Sequence, residues 1–288
     1  MRAKGVAFLT EAEPVRFTPI AAAPGISRLV APNPGPLTYH GTNTWLIEQP
    51  SGLTVIDPGS DHPSHLAAIT SAGPVRHILL THTHPDHLTG AAELHAATGA
   101  PIAAWATPWA PDFHPHIRLA HGQTLAGLRV IHTPGHASDH LCFEHTTPGL
   151  VFTGDHVMSW STSIVSPPDG DMAAYMASLR LLLARQDTLY LCGHGPPLPN
   201  PTALVRGMLS YRAGREAAIL AALTRAPASA DSLVAAMYTG LAPYLAPAAS
   251  RSVLAHLLKL QAENRVHHTG ETWHTAQHNT GETHDKID

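Results

Sequence analysis

The chain has 288 residues, 44% apolar and 13% charged, with a formal net charge of −4. That length holds one large domain, or a large one and a small one, with ample core. The acidic balance argues against a strongly basic nucleic-acid surface or a polybasic membrane anchor, and the longest apolar runs, such as LRLLLA at 179–184, fall far short of the roughly 18 residues that span a bilayer.

The N-terminal stretch MRAKGVAFLTEAEP has an apolar run cut short by Glu11 and no small-residue cleavage site, so a cytoplasmic protein without a secretory signal is expected. Cys142 and Cys192 make no framework of paired thiols, and no disulfide is expected. From about residue 26, SRLVA, TNTWLIE and LTVID predict strands and HPSHLAAITSA a first helix. VRHILLT predicts a strand, residues 86 to about 98 a helix and PIAAW a short strand. LRVIHT, LCFEH, LVFTGD and LYLCG follow as strands bounded by Gly, Pro or Asp, interrupted by a helix from about 171 to 185. Strands outnumber helices, which favours a mixed sheet or a pair of sheets with helices outside.

Beyond Pro201 the texture changes. TALVRGMLSYRAGREAAILAALTRA predicts one long amphipathic helix, SADSLVAAMY and residues 249–263 two more, and RVHHTGETWHT a hairpin turning at Thr269-Gly270. Three helices and a small hairpin are the order of a winged-helix module, expected to pack on the main domain or on a second copy in a homodimer. Arg206, Arg212 and Arg215 are expected on a solvated helix face. The third helix offers only Arg251 and Lys259, with Arg265 after it, a thin set of cations for gripping phosphates. Residues 276–288 repeat a His-rich theme with little apolar content, and a disordered tail is expected there.

The chemistry is concentrated at residues 81–87, THTHPDH. Even in a chain with 23 histidines, composition alone produces the pattern H-x-H-x-D-H only about 0.006 times per sequence of this length. His82 and His84 follow a strand-like run, where residues two apart point the same way. Pro85 breaks that run, and Asp86 and His87 open the next helix, where an acid suits the positive end of the helix dipole. Two ligand pairs of different direction suit two adjacent cations better than one crowded ion. Their partners are sought where a His or Asp directly follows Gly at a strand end: TPGH (133–136), FTGD (152–155) and CGHG (192–195).

Together with VIDPG ahead of them, THTHPDH, TPGHASDH, FTGDH and CGHGP resemble, in order and spacing, the five signature motifs of the metallo-β-lactamase superfamily over about residues 26–200. The resemblance implies an α/β (α+β) protein built as an αββα sandwich. It implies that His82, His84 and His136 bind a first metal ion and Asp86, His87 and His194 a second, with Asp155 bridging them. Asp57, in VIDPG, would support the site from behind without binding metal. Asp86 and Asp155 would be the acids at the catalytic centre. Asp155 stands where true β-lactamases of the superfamily carry Cys or Ser, which argues against antibiotic hydrolysis as the main activity. GTNTWLI, FTGDHVMSWSTSIVSPPDGD, CGHGPPLPNP and SYRAGREAAIL further resemble the family of beta-lactamase-like protein 2, which adds a C-terminal winged-helix domain and has been linked to endoribonuclease activity on single strands. The domains expected are therefore 1–202 for the hydrolase and 203–275 for the winged helix.

Oxygen and nitrogen donors without a thiolate suit Zn²⁺, with Mn²⁺ or Fe²⁺ as alternatives. Two such ions lower the pKa of a shared water from 15.7 towards about 7 and polarise the bond under attack. The expected activity is hydrolysis of a small-molecule ester-type bond (thioester, lactone or phosphodiester) by that hydroxide. The alternatives are a mononuclear Fe²⁺ persulfide dioxygenase of the same superfamily and a single-strand endoribonuclease acting on RNA.

Overall fold

Alternation at period two builds both sheets. In the first, β1 (Ile20–Ala23), β2 (Ile26–Val30), β3 (Asn43–Gln49), β4 (Gly52–Ile56), β5 (Val75–Leu79), β6 (Ile102–Trp105) and β7 (Ile117–Leu119) lie side by side in chain order. β1 to β4 pair antiparallel and β4 to β7 parallel. The second contains β8 (Thr124–Leu125), β9 (Leu128–His132), β10 (Leu141–His145), β11 (Leu150–Gly154), β12 (Leu189–Cys192) and β13 (Leu198–Pro199), antiparallel except for the parallel pair β11–β12. The structure, a computed structural model, describes residues 6–240 and 242–276.

Trp45 and Ile47 of β3, Ile56 of β4 and Leu79 of β5 point to one side of the first sheet. They meet Val130, Leu141, Phe143, Phe152 and Leu191 of the second, forming the central layer of the core. The residues between them, Leu46, Val55 and Ile78, point the other way and pack with Ile69 of α1 (Pro63–Ala72) and with Ala91 and Leu94 of α3 (Ala91–Thr98). On the chain after β11, α4 (Met172–Leu183) buries Met172, Tyr175, Met176, Leu179 and Leu182 on one face. Central strands such as β3, β4 and β11 are thus buried on both faces, as strands between a helix layer and a second sheet must be, whereas the edge strands β1, β7 and β8 stay partly exposed. The αββα order of layers agrees with the expectation.

The predicted single helix from residue 86 to 98 is two. α2 (Pro85–Leu88) is one turn, and α3 starts after Gly90. A Cβ on residue 90 would collide with the carbonyl of Ser60, so the chain turns where only Gly fits. The sequence pattern does not signal β1, β7, β8 and β13, all of which have four residues or fewer and are too short for clear alternation.

The long helix α5 (Thr202–Arg225) begins at the expected domain boundary, and the division between two compact units falls within it, after Arg212. The second unit contains α6 (Ala230–Met237), α7 (Ala246–Ala262) and the hairpin β14 (Val266–Thr269) and β15 (Thr272–Thr275). Ser229 caps α6 by accepting the Ser232 N–H. Ile219 and Leu223 of α5, Leu233, Val253, Leu257, Leu260 and Trp273 are buried. Glu216 accepts from both Lys259 Nζ at 2.8 Å and Arg265 Nη1 at 2.7 Å, so two of the three cations considered for phosphates are engaged within the unit. The tail expected from residue 276 lies, from residue 277 on, outside the described residues; Ala276 itself donates its N–H to Arg265 O.

No helix among the described residues is long and apolar enough to cross a membrane. Both cysteines are buried free thiols. Arg212 departs from the expected solvated face: it is buried, donates Nη2–H to Ser163 O and lies 5.3 Å over the Tyr175 ring.

Candidate metal centre

Parallel pairing brings the motifs to one end of the sandwich. β4 and β5 run parallel with Ile56 opposite Leu79, so Asp57 and the Thr81–His82 segment emerge side by side. β11 and β12 run parallel with Gly154 opposite Cys192, which does the same for Asp155 and His194. His136 sits in the connection between antiparallel β9 and β10, whose ends His132 and Leu141 are paired. The β5 ladder stops at Leu79, yet the chain stays extended at His84 (φ −65°, ψ 146°) before α2 begins. His194 is held from the first sheet: Asn43 donates Nδ2–H to Cys192 O and Gly195 O, and its own N–H to Gly193 O. That explains the Asn of GTNTWLI in mechanical terms.

All seven residues singled out as ligands converge. One donor atom from each of His82, His84 and His136 falls within 4.8 Å of the others, and the same holds for Asp86, His87 and His194 and for His82, His87 and Asp155. Asp155 faces both sides, with Oδ2 3.7 Å from His136 Nε2 and 3.3 Å from His194 Nε2, and Oδ1 3.5 Å from His87 Nε2. Gly193 permits this approach, since a Cβ there would collide with Asp155 Oδ1.

Every imidazole in the cluster is tethered by its outer nitrogen. His87 Nδ1 lies 2.8 Å from Asp57 Oδ2 and His82 Nδ1 3.0 Å from Thr81 Oγ1. The Thr81 hydroxyl in turn donates to Asp57 Oδ2 at 2.7 Å, and the Thr81 N–H donates to Oδ1 at 2.8 Å. His136 Nδ1 donates to Ile164 O at 2.7 Å, His194 Nδ1 lies 3.2 Å from Gly41 O, and His84 Nε2 lies 3.2 Å from Asp169 Oδ2. The inner atoms His87 Nε2, His136 Nε2, His194 Nε2 and Asp155 Oδ1 are buried without a hydrogen-bond partner. Four buried polar atoms left unpaired at one point would each cost about 1–3 kcal/mol; a cation among them removes that cost, so the donor set fits divalent metal.

The electrostatics agree. Burial, with the neighbouring imidazoles, pushes His82 well below the ordinary His value, and burial holds His136 at about 4 against the pull of Asp155. These rings are neutral and have lone pairs to offer. Burial works against a charge on His87 too, but Asp86, Asp57 and Asp155 overcome it and raise His87 well above the ordinary value; Asp155 and Asp86 likewise raise His194 to about 9. Burial would raise the Asp155 carboxyl, yet His194 and His87 hold it well below its usual range. The acids favour positive charge at this spot, the condition a divalent cation meets.

Above the donor atoms a cavity of about 170 Å³ is lined by Leu37, Met158, Ile164 and Ser166, with His84, Asp86, His136 and Asp155 as its floor. The outer tethers other than Asp57 went unread in the sequence. Asp169 is the clearest of them, and its only local signal is an acid in the loop PPDGD. Buried His140 and His156 neighbour the site: His140 accepts the Asp155 N–H at 3.2 Å and lies near Thr133 Oγ1, and burial lowers His156 to about 3.

Residues 37–194 match the metallo-beta-lactamase superfamily, and residues 229–273 match the beta-lactamase associated winged helix domain. The chain is 34% identical over 216 residues to thioesterase pkgB of Emericella nidulans, a match covering 72% of this chain and 61% of that protein. It is 30% identical over 265 residues to the beta-lactamase-like protein 2 homolog of Drosophila melanogaster, covering 84% of this chain and 89% of the relative. Among solved structures, a beta-lactamase domain protein from Burkholderia ambifaria superposes with a TM-score of 0.79 at 22% identity, covering 92% of this chain and 96% of that one, a likeness of fold.

Proposed function

The chain belongs to the metallo-beta-lactamase superfamily, and from that premise we propose a metal-dependent hydrolase of small-molecule thioesters with an apolar acyl group. His82, His84 and His136 would hold one divalent cation and Asp86, His87 and His194 another, with Asp155 between them. The observation that carries this reading is the set of buried, unpartnered inner atoms at the convergence of these residues, each imidazole clamped from outside. Nitrogen and oxygen donors make zinc the first expectation, with manganese or iron compatible.

When bound, such a pair supplies Lewis acidity at a carbonyl oxygen and lowers the pKa of water to near neutrality. The protein's own part is positioning. Asp155 and the clamped imidazoles keep the donors in place without reorganisation. Leu37, Met158 and Ile164 offer an apolar wall over the acidic floor, which suits an acyl chain and excludes water beside the scissile bond. The thioesterase named among the relatives supports the thioester over other esters.

The test is metal content by mass spectrometry together with hydrolysis of an S-acyl glutathione and of bis(p-nitrophenyl) phosphate, before and after Asp155→Ala. About two zinc or manganese ions per chain, and thioester turnover lost in the variant, is the result expected. One iron per chain with oxygen uptake on a persulfide, and no hydrolysis, would instead place the protein among the dioxygenases.

A further inference from the structure

Each cation group contains one imidazole backed by a carboxylate, while its companions lean on neutral oxygens. In the second group that ring is His87, on Asp57 at 2.8 Å. In the first it is His84, on Asp169 at 3.2 Å, whereas His136 and His194 lean on the peptide oxygens of Ile164 and Gly41 and His82 on the Thr81 hydroxyl. With Nε2 turned to Asp169, the Nδ1 of His84 faces His82 Nε2 at 3.0 Å, towards the donor cluster.

Asp169 is itself held. It is 8% exposed, and its second oxygen, Oδ1, accepts the Ser138 N–H at 2.7 Å, so the carboxylate cannot turn away from His84 without leaving an amide unpaired. Its loop is anchored on both sides: Gly170 N–H donates to Ser166 O at 2.8 Å, and Asp171 N–H to Gly135 O at 2.9 Å before Asp171 caps α4. The same loop contributes the Ile164 carbonyl to His136 and the Ile164 and Ser166 side chains to the cavity.

We propose that Asp169 is a positioning residue for the first cation: it fixes His84 with Nδ1 inward and strengthens that ring as a donor, without acting on the second group. Carboxylates behind ligating imidazoles fix ring orientation and raise ligand basicity, and losing one costs metal affinity about 10–100-fold. This rests on the two-cation reading above.

Co²⁺ is the probe. Full-length wild-type, Asp169→Ala and Asp169→Asn proteins, stripped of metal, are titrated with Co²⁺ against a chromophoric chelator while the visible d–d spectrum is recorded. Asp86→Ala, which leaves only the first group whole, assigns the bands. Two Co²⁺ are expected in the wild type. In Asp169→Ala the first is expected to bind about 10–100-fold more weakly with its band shifted, the second unchanged, and Asp169→Asn, which keeps the shape but not the charge, to fall between. Two ions bound by Asp169→Ala with wild-type affinity and spectrum, or both weakened equally, would overturn the role of Asp169. A wild type that takes up only one Co²⁺ would instead remove the two-cation reading and the division between groups with it.

Discussion

Oδ2 of Asp57 lies 2.8 Å from Nδ1 of His87, and the same oxygen accepts the Thr81 hydroxyl that supports His82. One buried carboxylate therefore stands behind an imidazole of each cation group, at a residue whose backbone is itself in the left-handed region (φ 51°). On the proposed two-cation reading, Asp57→Ala is expected to weaken both ions by about 10–100-fold, in contrast to the selective effect expected of Asp169→Ala. Chelator competition on the two variants side by side checks it; a selective loss in Asp57→Ala would disprove the shared support.

Gly193→Ala should leave the fold intact but displace the Asp155 carboxylate, against which the new methyl would press. A shift of about 1 Å at a reacting centre can cost about 10²-fold in rate. Turnover falling by that order, with an unchanged far-UV circular dichroism spectrum, is the outcome expected.

The central layer between the sheets depends on a few large side chains. Phe152 is fully buried and faces the opposite sheet, so Phe152→Ala is expected to lower the stability of the first unit by about 3–5 kcal/mol. Urea unfolding followed by the fluorescence of buried Trp45, whose ring centroid lies 5.9 Å from that of Phe152, reads this directly.

Removal of metal with a chelator should abolish hydrolysis and lower the unfolding temperature, because a ligand bound only by the native state stabilises it by mass action, about 4.1 kcal/mol at a thousandfold excess over Kd. Re-addition of Zn²⁺ should restore both. Restoration of stability without activity would point to a purely structural metal.

In the second unit the hydrogen bond from Lys259 holds the Glu263 carboxyl below its usual value. A carboxyl lowered by folding adds stability that is complete above the unfolded value and is lost as pH falls through the folded one. Glu263→Gln should therefore cost stability at neutral pH and flatten the acid limb of the unfolding profile below about pH 4.5. An unaltered limb would show the pair to be inert. The pairing of Lys259 and Arg265 with Glu216 also predicts weak binding of single-stranded RNA with a shallow salt dependence, measurable by filter binding at two ionic strengths.

Local chemistry was legible before any fold was known. THTHPDH declared itself because its donors are adjacent in sequence, and strand alternation with Gly- and Pro-bounded ends placed the elements that carry them. The hairpin was legible for the same reason, although its turn falls at Gly270-Glu271, one residue later than expected, because Thr269 still pairs with Thr272. What stayed hidden depends on partners distant along the chain. His84 and Asp169 are separated by 85 positions and Arg212 and Ser163 by 49, and no periodicity signals that such residues will meet. Arg212 read as a solvated cation because helical spacing records which residues share a face but not what the fold lays against it. Which donors point inward, which acid backs which ring and which cations are already paired were decided when parallel strand pairing brought the loops to one end of the sandwich, since burial makes every unpaired polar atom costly and so selects its partner across the fold.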